Sequence, residues 1–220
     1  MIDVIIPIYK GLQQTRRCVD SVLQNRQSAP FEVVAVDDAS PDPGITGYLD
    51  ELAAERRITL VRNESNRGFV QSVNRGMSLH PDRDVVLLNS DTEVANDWLD
   101  RLFRAAYAYP DVGTVTPFSN NATICSYPFE GWARGVPGTL AVAELDRLFA
   151  STNAGRTVDL PTAVGFAWRY GASASIRSGH STRSASAAAT AKRTISACVP
   201  PAPGGATSSP ATCSSITKAP

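Results

Sequence analysis

Ile2-Asp3-Val4-Ile5-Ile6-Pro7-Ile8-Tyr9 is the stretch on which the fold turns. Apart from Asp3 it is apolar up to Tyr9, with Pro7-Ile8-Tyr9 at its end. That pattern reads as a strand buried on both faces, as in a parallel sheet. Downstream, residues 12–23 place Leu12, Val19, Val22 and Leu23 at helical spacing, with Gln13, Arg17 and Asp20 outward. Residues 31–36 are a second apolar strand, stopped by Asp37-Asp38-Ala39-Ser40-Pro41-Asp42-Pro43-Gly44. A helix is expected over 45–55, a short strand over 58–61, a helix over 69–79 and a buried strand over 85–88. Residues 98–107 then read as a helix with Trp98, Leu102 and Ala105 or Ala106 inward, and 112–115 as a strand. Such alternation gives a doubly wound α/β domain with a mostly parallel sheet and flanking helices. Beyond Pro117 the pattern weakens. Residues 117–138, rich in Asn, Gly, Pro and aromatics, are expected as an acceptor-side loop, 142–149 as a helix, and 163–166 as the start of another strand.

The chain of 220 residues carries no formal net charge, but the balance is uneven. Residues 171–220 hold Arg177, Arg183, Lys192, Arg193 and Lys218 and no acid. Residues 1–170 carry 16 Lys/Arg against 21 Asp/Glu, a net of about −5. A mildly acidic body without a basic stripe argues against nucleic acid as a partner. Cys18, Cys125, Cys198 and Cys213 form no CxxC pair, which disfavours a zinc site of the usual spacing. Free thiols, no basic leader before the short apolar run 4–8, and no transmembrane-length segment lead us to expect a cytoplasmic protein, peripheral to the membrane at most.

In doubly wound sheets ligands bind beyond the carboxyl ends of the strands. The residues there are Tyr9, Asp37-Asp38, residues 63–68 and Asn89-Ser90-Asp91. A carboxylate at Asp38 can accept from a base N–H or ribose hydroxyls; the alternative is a turn built from Asp, Ser, Pro and Gly. Asp91 can hold Mg²⁺ or Mn²⁺, ions that take oxygen ligands and share them with substrate phosphates; alternatively Asp91 or Asn96 caps the helix at Trp98. Asn66-Arg67-Gly68-Phe69, with Asn74-Arg75-Gly76 behind it, sets a glycine turn at a helix start, suited to a phosphate or sugar hydroxyl. The plainer reading is a simple strand-to-helix connection, with Gly76 a helix-end glycine. His80 and His180 stand alone and are not expected as ligands.

Taken in order, Val4-Ile5-Ile6-Pro7-Ile8-Tyr9, Val36-Asp37-Asp38-Ala39-Ser40, Asn66-Arg67-Gly68-Phe69 with Asn74-Arg75-Gly76, and Leu87-Leu88-Asn89-Ser90-Asp91-Thr92-Glu93 resemble the family 2 glycosyltransferases, an inverting group of GT-A fold. The resemblance covers about residues 1–166. It implies transfer of a sugar from a nucleotide-diphospho-sugar to a saccharide or other hydroxyl acceptor, aided by Mg²⁺ or Mn²⁺. By the same resemblance Pro7 and Tyr9 line the nucleotide pocket and Asp38 recognises the base. Asp91 is the last acid of the family's D-x-D motif and binds the metal. Asn66, Gly68 and Asn74 fit the pattern near the donor. Asn89 departs from the motif's first acid, leaving the metal one carboxylate fewer. A nucleotidyltransferase would instead need a glycine-rich basic loop after the first strand, and Lys10-Gly11 is too little of one.

The resemblance also implies a catalytic base in a downstream acidic segment, yet no acid follows Asp159. Residues 171–220 lack Leu, Phe, Trp, Tyr, Met, Asn and Gln as well as Asp and Glu, a low-complexity composition. We therefore expect 1–166 to be a truncated nucleotide-sugar-binding domain, incomplete at its C-terminus, and 167–220 a disordered tail read out of frame. Codons chosen for 192–198 can spell Glu-Glu-Asn-Asp-Phe-Cys in another frame, and loss of one nucleotide near Phe166 accounts for the break. On this expectation the chain is a catalytically inactive remnant that retains donor binding.

Overall fold

The computed structural model describes residues 1–109, 112–119, 125, 141–160, 167–170 and 194–197. β1 (Ile2–Ile8), β2 (Phe31–Asp37), β3 (Thr59–Arg62) and β4 (Asp84–Leu88) alternate with α1 (Leu12–Gln24), α2 (Pro43–Ala54) and α3 (Phe69–Met77). α4 (Trp98–Ala106), β5 (Thr114–Pro117), α5 (Val142–Thr152), β6 (Thr157–Leu160), β7 (Ala167–Tyr170) and β8 (Thr194–Ala197) follow. The central sheet has the order β3-β2-β1-β4-β7, parallel except for β7, which runs antiparallel to β4. A smaller sheet has the order β5-β8-β6.

The alternation of β1 sorts its side chains onto two cores. Val4, Ile6 and Ile8 join α1, α2 and α4 residues such as Val19, Val22, Leu49 and Leu99 on one face. Ile5 joins Val34, Val36, Val73 and Leu87 beneath α3 on the other. β1 is thus buried on both faces, as the run of apolar residues demands. Trp98, Leu102, Ala105 and Ala106 all face inward on α4. The sequence missed Thr15 and Cys18 on the buried face of α1.

Several boundaries differ from expectation for identifiable reasons. α2 begins at Pro43, two residues early, because Asp42 caps it by accepting from Gly44 N–H at 2.9 Å and Pro43 supplies a preset φ at the first turn. Gly76 lies in the last turn of α3, one residue before its end, and does not adopt the positive φ of a capping glycine. A Cβ there would stand 2.8 Å from Ile5 Cγ2, so glycine is what lets α3 approach the sheet. β5 is displaced to Thr114–Pro117, and β6, too short and too polar to signal itself, was not anticipated. Two tetrapeptides of the expected tail pair as strands, β7 with β4 and β8 with β5 and β6. The remainder of 171–220, the expected strand start at 163–166 and most of the 117–138 loop lie outside the described residues. Among the described residues no helix is long and apolar enough to cross a membrane.

At the N-terminal end of the central sheet Asp3 and Glu32 sit in register on β1 and β2. Asp3, fully buried, accepts from Arg83 Nη1 at 2.9 Å and lies 2.8 Å from His80 Nδ1. Arg83 also pairs with Glu32 at 2.6 Å. His80, which looked isolated in sequence, is a structural partner brought in by the loop before β4.

Candidate functional site

Parallel pairing of β1 with β2 and β4 puts Tyr9, Asp38 and Asn89-Ser90-Asp91 along one edge, as the strand-end reading expects. There an open cleft of about 450 Å³ lies between the ends of β1 and β4 and the starts of α1 and α3. Pro7, Lys10, Gly11 and Gln14 line it from the first side, Asn89, Ser90 and Asp91 from the second, and Phe69 from α3. The helix starts are built by glycines that adopt positive φ, Gly11 at 90° and Gly68 at 79°. Neither supplies a side-chain cap, so first-turn N–H groups remain for solvent or a ligand.

Asp91 is exposed and makes no hydrogen bond or ion pair among the described residues. The capping alternative for it is not met: the N-cap of α4 is Asp97, whose side chain makes no cap bond, and Asn96 turns instead to Asp146 Oδ2 at 2.7 Å. Beneath Asp91, Cys18 Sγ donates to Asn89 O at 3.3 Å. Burial first, and then the Asp91 carboxylate, push the Cys18 thiol up to about 12. Asn89, Ser90 and Asp91 together offer an amide oxygen, a hydroxyl and one carboxylate. Such a donor set fits Mg²⁺ or Mn²⁺ when substrate phosphates complete the shell.

Asp38 shares the edge but does not line the cleft. Only 4% exposed, it accepts from Asn63 Nδ2 at 2.6 Å and from the backbone N–H groups of Arg67 and Gly68 at 2.8 Å each. Burial would raise its carboxyl; the Arg67 N–H, Asn63, Gly68 N–H and Ser72 bonds outweigh it and hold the group below the usual range. Asp38 thereby fixes the loop that presents Phe69 to the cleft. Asn63 is the residue that the motif reading underweighted; its position directly after β3 was the available signal. Within that loop Asn66 Oδ1 accepts from Gly68 N–H at 3.1 Å, an arrangement typical of Asn in turns. Asn74 lies on α3, half-buried, and does not line the cleft. Tyr9 is 38% exposed at the strand end, with Lys10 Nζ 5.0 Å from its ring centre.

One group of three could offer metal ligands among the described residues, Asp3, Glu32 and His80. It lies at the opposite end of the sheet, and Arg83 already bridges both carboxylates. We therefore assign that group to structure.

Comparison with known proteins agrees with this fold. The profile of Glycosyl transferase family 2 matches residues 3–128. Glycosyltransferase GlyG of Streptococcus pneumoniae serotype 4 is 24% identical over 106 residues, 47% of this chain and 34% of that protein. The curated relatives are much longer than the shared stretch, of which it makes up 13% to 40%. Among solved structures, the mannosyltransferase PcManGT from Pyrobaculum calidifontis in complex with GDP-Man and Mn²⁺ superposes with TM-score 0.56 at 20% identity, over 91% of this chain and 54% of that one. GalNAc-T7 with UDP, GalNAc and Mn²⁺ gives TM-score 0.62 at 15% identity, over 90% and 42%. These likenesses establish the GT-A fold.

Proposed function

The chain belongs to glycosyl transferase family 2, and on that premise we propose that its cleft binds a nucleotide-diphospho-sugar for inverting, metal-dependent transfer to an acceptor hydroxyl. The observation that carries this reading is Asp91, an exposed carboxylate without a partner among the described residues, set in one cleft with Asn89 and Pro7. Pro7, Tyr9, Asp38, Asn66, Gly68, Asn74 and Asn89 are the proposed donor-binding residues. Tyr9 offers a ring to the base. Asp38 already accepts from Asn63, Ser72 and the Arg67 and Gly68 N–H groups, so its part in donor binding would be to order the loop beside the base. Asp91, with Asn89 and Ser90, would hold Mg²⁺ or Mn²⁺. Such an ion supplies charge stabilisation to a departing diphosphate. GDP-Man and UDP in the solved relatives support a nucleotide-sugar donor. Calorimetry with UDP and GDP, with and without Mn²⁺, tests the site. Asp91→Ala should weaken Mn²⁺-dependent binding about tenfold or more, and Asn89→Ala should do less. Unchanged metal-dependent affinity in Asp91→Ala would move the site elsewhere.

A second reading, favoured by the absence of any acid after Asp159, is that this chain binds donor without turnover. Transfer needs a base for the acceptor hydroxyl, a contribution of about 10²–10⁴-fold. If 167–220 is out of frame, restoring one nucleotide near the Phe166 codon should produce turnover that the present chain lacks. Equal turnover by both forms would defeat this reading.

A further inference from the structure

Charge in the cleft is sparse. Among the described residues its lining carries one carboxylate, Asp91, and one cation, Lys10; the rest is neutral. Lys10 is exposed and forms no ion pair among the described residues, its ammonium resting over the Tyr9 ring at 5.0 Å. Elsewhere on this edge Arg67 is exposed but does not line the cleft, and two further cations are committed. Arg62 pairs with Asp37 and Asp50, and Arg75 donates to Asn63 Oδ1 and to Arg62 O. Lys10 sits directly before Gly11, whose φ of 90° swings the chain from β1 into α1, so its backbone is held at the cleft.

Resting on the donor-site reading above, we propose that Lys10 is the protein's own cation for the donor diphosphate, and the residue that selects diphosphates over nucleosides. A diphosphate esterified at both ends is a dianion, and among the described residues of the cleft Asp91 is the only carboxylate for the metal that would share it. An ammonium tethered beside that ion carries part of the neutralisation that the Asn89 departure takes away. An exposed contact between an ammonium and a ring is weaker than an ammonium–phosphate pair, so Lys10 gives up Tyr9 when phosphate enters. The same move frees the Tyr9 ring for a base, coupling phosphate entry to base stacking.

The test is calorimetry on the full chain with UDP, GDP, uridine and guanosine, each with and without Mn²⁺, comparing the unaltered protein with Lys10→Ala and Lys10→Arg. Lys10→Ala should weaken the diphosphate that binds by about tenfold and leave its nucleoside within about twofold. Lys10→Arg should keep most of the affinity, and melting temperatures should coincide because the side chain is exposed. Diphosphate affinity unchanged in Lys10→Ala overturns the assignment. So does an equal loss for diphosphate and nucleoside, which would place the action of Lys10 on Tyr9 alone. If the unaltered protein binds none of these probes, the donor-site reading falls and this inference with it.

Discussion

At the N-terminal end of the central sheet Asp3 is wholly buried between Arg83 and His80, and Arg83 is shared with Glu32. At the other end, one strand away, Asp91 is exposed and has no partner among the described residues. A buried carboxylate survives only with its charge matched, so the first end serves folding. An unmatched carboxylate in a cleft has acceptor capacity to give a ligand. Asp38 stands between these cases, spending most of its capacity on the loop that shapes the cleft.

The largest expected contrast is in stability. Asp3→Ala removes the bonds to Arg83 and His80, leaving the Arg83 cation without its buried partner, and should cost about 3 kcal/mol. Asp91→Ala should stay within about 0.5 kcal/mol of the unaltered protein. Urea unfolding of both variants measures this, and similar losses at the two ends would break the comparison.

A smaller effect concerns acid. Because the folded Asp38 carboxyl titrates below its unfolded value of about 3.9, its contribution is complete above that pH and lost as pH falls through the folded value. Glu32, held down chiefly by Thr59 and then Arg83, and Asp100, where N–H donors at Ser28 and Ala29 outweigh burial, act in the same direction. Urea midpoints taken downward from about pH 5 should therefore fall, and fall less steeply in Asp38→Asn. An equally steep limb in that variant would remove Asp38 from the account.

The smallest effect sharpens the link between cleft and core. In the folded protein near pH 8, Cys18 should escape iodoacetamide, because its thiol titrates at about 12. Asp91→Ala should lower that value only partly, since burial is the larger cause. Peptide mapping by mass spectrometry reads the modification, and rapid labelling of Cys18 in the folded chain would contradict its burial.

The periodic apolar runs pointed by themselves to parallel strands β1 to β4 with helices between them, of which β1, β2 and β4 are buried and β3 stands half-buried at the sheet edge. They also determined which residues stand at strand ends, and so named Tyr9, Asp38 and Asp91 as neighbours. What they left open was which of those polar groups are already spent. Asp38 is saturated by Asn63 and by two backbone N–H groups some thirty residues away, and His80 finds Asp3 across 77 positions. β8 pairs with β5 and β6 from within a stretch whose composition gave no strand signal. Local sequence records the chemistry each residue can do. Hydrogen bonding between distant segments decides how much of it is still available, because a lone pair used inside the fold is not offered to a ligand.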